Sequence, residues 1–521
     1  MSRLRGFVRR HPDAVAVLVV VGLALAFKLG FALRVAPFIS KDSQAYFFPA
    51  WTLVHDGAFQ LGLRRTPGYS GFLAGALLLV GDDLRGIILL QHLLGVGTAV
   101  LTYVLGRLAF GRLVGLGAGA LAAISAPLVA YEHYLLSESL FAFAVTAALA
   151  ALAWAWRRES GRLWLLGGLC VGLSTLVKPI GQIVLPLAIL APIVAARPWR
   201  FGLGLASTTT LRAFAVAPAL VLLGYGLAVV PWTVRNKLVH DLAAPSTFGR
   251  TLIARTASYD RGFVFYDPDN PPSDPVRGRA LEIIQRGAKR SESDGTIATR
   301  LREELDLDPI EVNALMRDAA LDVIARQPAY FVQGTLRFGL HIFNGEEISL
   351  RDHEAERKDV VWNERTRDLL VATRSDDDAR AASQLLRWYQ PAEYAPLPLV
   401  LFALGLVSAA ARPAWRPALL PALAVVALIL ASAALNGPQE RYRYPADPAL
   451  TVIALGGIAG LVGLVRSLAS LVSGGWATGR PKAGAPGSPA AGAPVPTLEA
   501  PLRPDPSTAA SPAGLSRAAQ P

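Results

Sequence analysis

The chain has 521 residues, of which 53% are hydrophobic and only 17% charged, and its formal net charge is +12. Soluble domains carry about a quarter charged residues, so this composition excludes an ordinary globular protein and predicts an all-α polytopic membrane protein. The cationic excess does not indicate nucleic acid, because the arginines sit in short loops between apolar runs, as the topology of membrane proteins dictates.

The opening MSRLRGFVRRH leads into an apolar run over 14–34 with no small-residue cleavage site, which reads as a retained first helix. Further candidate spans follow at 86–106, 113–131, 138–156, 163–178, 180–196, 211–232, 395–411, 416–435 and 446–466. Each reaches or approaches the roughly 20 residues that cross a bilayer. The segment TPGYSGFLAGALLLVGDD, 66–83, is apolar for only about 14 residues, which is short for a span. Laid along the membrane or re-entering it, this segment lets the arginines sort. Arg107, Arg112, Arg157, Arg158, Arg162, Arg197, Arg200, Arg412, Arg416 and Arg466 then share the side of the N-terminus, the cytoplasmic side by the positive-inside rule.

The resulting organisation is an N-terminal membrane module over 1–232 with a first external loop at 35–85, an external domain over 233–394, and C-terminal membrane helices over 395–470. The tail, 471–521, is rich in Pro, Ala, Gly and Ser and reads as disordered and cytoplasmic. In the external domain, Asp308-Pro309 predicts a helix start, and 328–343 predicts a helix resting on the bilayer. Cys170 is the single cysteine, which excludes a disulfide and a cysteine metal site. The seven histidines show no ligand spacing. No cofactor is expected, and a divalent metal is left open.

Five segments bring ionisable groups to the external face. SKDSQAYFFPAW gives Asp42 and Tyr46, YEHYLLSESLF gives Glu132, His133 and Glu138, and STLVKPIGQ gives Lys178. VVPWTVRNKLVHD gives Arg235, and QERYRYP gives Arg441, Tyr442 and Arg443. Taken singly they have ordinary explanations: Asp42 as a helix N-cap, Glu138 at a helix N-terminus, Lys178 and Arg235 as snorkelling cations. The conjunction is harder to explain, because cations are depleted on this face. Arginine grips phosphate oxygens bidentately, lysine adds a point charge, and a nearby carboxylate can take a proton from an attacking hydroxyl. The expectation is a site for a lipid phosphate.

In chain order, KDSQAYFFPAW, RRTPGYSGFLAG, LLSESLFAF, GLSTLVKPIG, PWTVRN, PSTFGR and RYRYPADPAL resemble the bacterial GT-C glycosyltransferases, in the aminoarabinose-transferase-like and protein O-mannosyltransferase-like group. The resemblance runs over about 14–466 and implies a GT-C-like fold with about 10–13 transmembrane helices, juxtamembrane helices in the first external loop and a mostly helical external domain. It implies an inverting transferase that takes a monosaccharide from a polyprenyl-phosphate donor to a lipid, glycan or protein acceptor on the outer face of a bacterial inner membrane. Asp42 matches the catalytic carboxylate of the first loop and Glu138 a second acidic position. Lys178, Arg235, Arg441 and Arg443 are the implied donor-phosphate ligands, and Tyr46, Arg65, Tyr69 and Tyr442 the implied cleft residues. The chain departs from the group where Ser43 follows Asp42 in place of a second acid, and where RRTPGY replaces an acid before the surface helix. The alternatives are an O-antigen-type polymerase or ligase with a diphosphate-linked donor, and a flippase or transporter. Clustering at one face without a repeat separates the chain from the transporters.

Overall fold

The computed structural model describes residues 9–35, 37–40, 42–62, 65–195, 212–240, 248–344 and 396–477. The expected tail from 478 onward and the stretch 345–395 of the expected external domain lie outside these, as do residues 245–247 of PSTFGR, whereas 471–477, expected in the disordered tail, continue the last helix. The chain forms two compact units, Met1–Arg466 and Ser467–Pro521, and the site lies in the first.

Helix α1 (Pro12–Ala32) begins with Pro12 at its first turn, where a missing N–H costs nothing. It is followed by α2 (Ser43–His55), α3 (Pro67–Val80), α4 (Leu84–Ala109), α5 (Arg112–Ile124), α6 (Ala126–His133), α7 (Glu138–Arg158) and α8 (Gly161–Val177). A 3₁₀ turn at Pro179–Ile183 leads into α9 (Val184–Ala195), and α10 covers Ala217–His240. A polar layer contains α11 (Phe248–Ile253), α12 (Pro275–Lys289), α13 (Asp294–Leu305) and α14 (Pro309–Arg326). It leads to α15 (Pro328–Asn344), then α16 (Pro396–Ala411), α17 (Leu419–Asn436) and α18 (Asp447–Ala477). Among the described residues the only strand-like pairing is one bridge, Phe38 with Tyr134.

Among the described residues six helices are long and apolar enough to cross a membrane, or seven if one bent pair is a single span, and the chain is a multi-pass membrane protein. The expected single span over 113–131 is instead a bent pair, α5 and α6, meeting at 46°. Pro127 in the first turn of α6 has no N–H to give and restricts the residue before it, so the helix breaks there. The expected span over 180–196 likewise starts as a 3₁₀ turn at Pro179. Helix α10 runs on to His240, past the expected boundary at 232, with Pro231 inside it.

One end of the bundle is marked by Asp13 of α1. It accepts hydrogen bonds from Arg107 Nε and Arg112 Nε at 2.7 and 2.9 Å, and Arg157 of α7 donates to Leu108 O and Ala414 O at 2.6 and 2.7 Å. Three of the arginines expected on one side, Arg107, Arg112 and Arg157, thus gather near the start of α1, while Arg197 and Arg200 lie outside the described residues. At the other end, Thr66 Oγ1 donates to Val177 O at 3.1 Å, and His55 lies 3.5 Å from Asp82. Helix α3 is about 21 Å long at 1.5 Å per residue, too short to span. It begins beside the end of α8, where Thr66 meets Val177, and is followed after a short turn by α4.

Small residues set the close crossing of α8 and α10. A Cβ on Gly168 of α8 would fall 2.0 Å from Val221 O of α10, and one on Gly224 would fall 2.1 Å from Leu165 O. Only glycine permits this approach, the usual device of helix packing in membranes. The polar layer has its own apolar core, including Ile283, Ile284, Ile297, Leu301 and Met316. Each such side chain is worth about 1.5–3 kcal/mol when buried. The helix start expected at Asp308-Pro309 is present with a complete capping box, Asp308 accepting from Glu311 N and Glu311 from Asp308 N. Helix α15 turns Phe338, Ile342 and Phe343 into the core of the membrane bundle.

Candidate active site

The first loop is pinned before it reaches Asp42. Phe38 N donates to His133 O and Leu135 N to Phe38 O, both at 3.0 Å. Ser40 N then donates to Ser43 Oγ at 3.0 Å, and Asp42 N to Ser40 Oγ at 3.2 Å. Asp42 occupies the N-cap position of α2, but its side chain makes no capping hydrogen bond. Its carboxylate turns to two arginines instead: Arg65 Nη2 at 2.6 Å and Arg441 Nη1 at 3.4 Å. Burial pushes the Asp42 carboxyl up, but Arg65 and Arg441 outweigh it and hold the group at about 2.

Arg65 is fixed from two sides. Its Nη1 donates to Tyr46 Oη at 2.9 Å, and its guanidinium carbon lies 4.4 Å from the Tyr46 ring centre. Ser137 Oγ donates to the same Tyr46 oxygen at 3.3 Å. The Nε of Arg65 is buried and has no partner among the described residues. Tyr69 packs edge-on against Tyr46 but is fully buried, its hydroxyl donating to Gln91 Oε1 at 2.6 Å. Tyr69 therefore supports the wall of the site.

A second carboxylate stands at the start of α7. Lys178 Nζ donates to Glu138 Oε1 at 2.7 Å, while Glu138 Oε2 is buried without a partner among the described residues. Lys178 sits where α8 gives way to the 3₁₀ turn, with its ammonium 5.4 Å from the Tyr442 ring centre. Arg441 lies 5.4 Å over the same ring and within electrostatic reach of both Glu138 and Asp42. Gln439 Oε1 accepts from Arg441 Nε at 2.9 Å, and Gln439 Nε2 donates to Tyr259 Oη at 2.5 Å. Gln439 is a site residue that sequence reasoning missed; its nearness to the ERYR cluster was the one available signal.

The structure thus joins Asp42, Arg65, Tyr46, Glu138, Lys178, Arg441 and Tyr442. It does not bring two other expected phosphate ligands to these carboxylates. Arg443 is buried, with Nε on Asp447 Oδ1 and Nη1 on Asn344 O, both at 2.8 Å. Arg235 lies over the Trp232 ring at 4.8 Å and donates to Asn236 Oδ1 at 3.1 Å. Glu132 and His133, expected at the external face, are turned into the protein interior. Among the described residues no group of three or more His, Cys, Asp or Glu is arranged to hold a metal ion. Three cations converge on two carboxylates, leaving one positive charge in excess, a suitable seat for an anion.

The family model of dolichyl-phosphate-mannose-protein mannosyltransferases matches residues 64–224. This segment is a GT-C glycosyltransferase-family domain. Arg65, Glu138 and Lys178 lie within the GT-C domain, whereas Asp42 and Arg441 reach the site from either side of it. Among solved structures, the chain is similar to the Archaeoglobus fulgidus oligosaccharyltransferase tethered to an acceptor peptide containing the NVT sequon. Identity is 14%, coverage 89% of this chain and 51% of that one, and the TM-score 0.46. It is also similar to ArnT from Cupriavidus metallidurans bound to undecaprenyl phosphate, at 15% identity, 84% and 76% coverage and a TM-score of 0.37. The chain spans about half the length of the archaeal oligosaccharyltransferase. Comparison with curated proteins gives no match.

Proposed function

We propose that the protein is an inverting glycosyltransferase. It moves a monosaccharide from a polyprenyl-phosphate donor to a lipid, glycan or protein acceptor at the outer face of a bacterial inner membrane. Both termini are then cytoplasmic, on the side where the loop arginines gather. The observation that carries this reading is the sharing of Arg65 and Arg441 by Asp42, next to the Lys178–Glu138 pair.

A carboxyl held at about 2 is ionised but weakly basic. A donor phosphate entering between Arg65, Arg441 and Lys178 competes with Asp42 for the guanidinium groups. As their hold loosens, the carboxylate becomes a stronger base when the substrate is in place. Asp42 then takes the proton of the acceptor hydroxyl, and the acceptor oxygen attacks the anomeric carbon from the face opposite the phosphate. The bond between that carbon and the phosphate oxygen breaks. Its electron pair leaves with polyprenyl phosphate, whose added charge the three cations stabilise. Glu138 Oε2 offers an acceptor site for a sugar hydroxyl. Arg443 acts at one remove, holding the turn that presents Arg441.

The test is transfer from a mixed pool of radiolabelled polyprenyl-phosphate sugars in membranes containing native acceptor. The wild type is expected to consume one donor in an acceptor-dependent way and Asp42→Asn none. If neither consumes any donor, the reading is overturned.

A further inference from the structure

A second ionic cluster lies inside the membrane bundle, apart from the proposed chemistry. Lys28 of α1 is fully buried and donates to both oxygens of Glu132, at 2.6 and 2.8 Å. His92 of α4 sets Nδ1 against Glu132 Oε2 at 3.1 Å and Nε2 against His133 Nδ1 at 3.0 Å. His133 Nε2 reaches Val35 O at 3.1 Å. Lys28, His92 and His133 are all 0% exposed and Glu132 is 3% exposed, so water is not an alternative partner for most of their polar atoms. Phe31 and Phe38 set their edges and faces against His133 at 4.9 and 4.8 Å between ring centres. The space for the Glu132 carboxylate exists because residue 95 is glycine: a Cβ there would fall 2.1 Å from Glu132 Cδ.

Three hydrogen-bonded contacts of this chain set the fewest protons it holds. Three contacts run in series, from Glu132 Oε2 to His92, from His92 to His133 and from His133 to Val35 O. Each needs one proton. The carbonyl can only accept, so His133 Nε2 carries a proton. An ionised carboxylate and two neutral imidazoles supply two protons in total, one fewer than the three contacts require. A buried contact left without its proton is two acceptors facing each other, which is costly. Buried ionisable groups in a membrane bundle are expensive and are rarely kept without a purpose.

We propose that Lys28, Glu132, His92 and His133 form a positioning chain for Asp42, held together by one shared proton beyond those of an ionised carboxylate and two neutral imidazoles. The far end of the chain grips the start of the first loop in two places, through His133 Nε2 on Val35 O and through Phe38 N on His133 O. Four residues later that loop delivers Asp42, by way of Ser40. With the third proton the segment Glu132–His92–His133 is formally neutral, and the Lys28 ammonium, held on both Glu132 oxygens, is the one net charge of the cluster. The role given to Asp42 rests on the proposed transferase reading; the proton count does not.

The first measurement is the ¹⁵N spectrum of histidine-labelled full-length protein in lipid nanodiscs at pH 7, with signals assigned by their loss in His92→Gln and His133→Gln. Three protonated nitrogens among the four of the pair, or two together with a protonated Glu132 carboxyl in the infrared, is the expected result. Two protonated nitrogens with an ionised Glu132 overturns the shared proton. The second is hydrogen exchange over 35–43 in His133→Leu, which is expected to speed up while exchange in α7 and α8 stays as in the wild type. Unchanged exchange over 35–43 overturns the positioning role. In the same variant kcat is expected to fall roughly tenfold with the donor KM unchanged, as for a misplaced catalytic group. If the spectrum and the exchange agree with expectation while Asp42→Asn still transfers sugar, the transferase reading fails and the chain stands.

Discussion

Two arginine–aspartate clusters in this protein are built to opposite specifications. In one, Arg255 is 0% exposed and all its nitrogens are committed: Nε to Ala433 O at 2.9 Å, Nη1 to Asp260 at 2.8 Å, and Nη2 towards Phe331 O and Thr335 Oγ1 at 3.4 and 3.5 Å. Its carboxylate partner is 1% exposed and also accepts from Tyr330 Oη at 2.6 Å. The guanidinium packs on the Phe331 and Phe338 rings. In the other, Asp42 is 31% exposed, its contact with Arg441 is long at 3.4 Å, Arg65 Nε is buried without a partner among the described residues, and so is Glu138 Oε2. A saturated cluster is a joint, here fastening the polar layer to α17. A buried cluster with unspent hydrogen-bonding capacity is a receptor, since such groups are seldom left unmatched in a finished structure.

The sharpest way to test this contrast is to remove one carboxylate from the open cluster. Asp42→Asn keeps the shape and loses the charge and the basicity, so transfer is expected to fall by about 10²–10⁴-fold, the span of a general base. Donor binding, measured by equilibrium binding of a polyprenyl phosphate, is expected to remain or tighten, because two arginines lose a competing anion. The matching change in the closed cluster is Arg255→Ala. It leaves Asp260 buried and unpaired, and breaking such a pair costs about 3–5 kcal/mol. Unfolding in denaturant is expected to show that loss, while the activity per folded molecule changes little. An Arg255→Ala protein of full stability and impaired donor binding would invert the assignment.

A smaller effect belongs to Lys178, one of the three cations that meet the donor. Lys178→Met removes a charge-assisted contact of about 1.5–3 kcal/mol, so donor affinity is expected to fall by one to two orders of magnitude. The same variant leaves Glu138 buried without its cation, so stability is measured alongside. Restored stability in Lys178→Met/Glu138→Gln with donor affinity still low would tie the loss to the phosphate and not to folding.

How much of this was written in the sequence differs between elements. The spans were legible because crossing a bilayer demands long apolar runs, and the start of α14 because Asp308, Pro309 and Glu311 form a local capping code. Lys178 and Arg441 stood out as cations on a face that disfavours them, and Asp42 through the resemblance of its loop. The partners were not legible. Glu132 and His133 lie beside Glu138 in the chain, and adjacency suggested a shared face. Their true partner, Lys28, is 104 residues away from Glu132, and only the folded bundle brings them together. A signal was present in the lone lysine of the first span and the Gln91-His92 pair of the second, since polar groups in apolar helices demand partners. Arg443 carried a local clue of another kind: Asp447 follows it by four residues, the spacing of a helical ion pair.

The smallest effect is one of pH, and it bears on whether the open cluster really opens. In the donor-free protein the Asp42 carboxyl sits at about 2, below the unfolded value of about 3.9. A group lowered on folding contributes stability that is complete above its unfolded value and disappears as the pH falls through its folded one. Asp42 therefore adds no pH dependence to stability, or to reactions of the free enzyme, between about pH 5 and 9. If donor phosphate draws Arg65 and Arg441 away, the carboxyl rises in the complex. The profile of kcat/KM reports the free enzyme and that of kcat the complex. The acid limb of kcat is thus expected at higher pH than that of kcat/KM, and the separation should narrow in Arg441→Gln, where one of the two competing cations is already gone and Arg65 remains. Coincident limbs in the wild type would mean that both arginines stay on Asp42 throughout turnover. The open cluster would then be a second joint, and the base would have to be sought at Glu138.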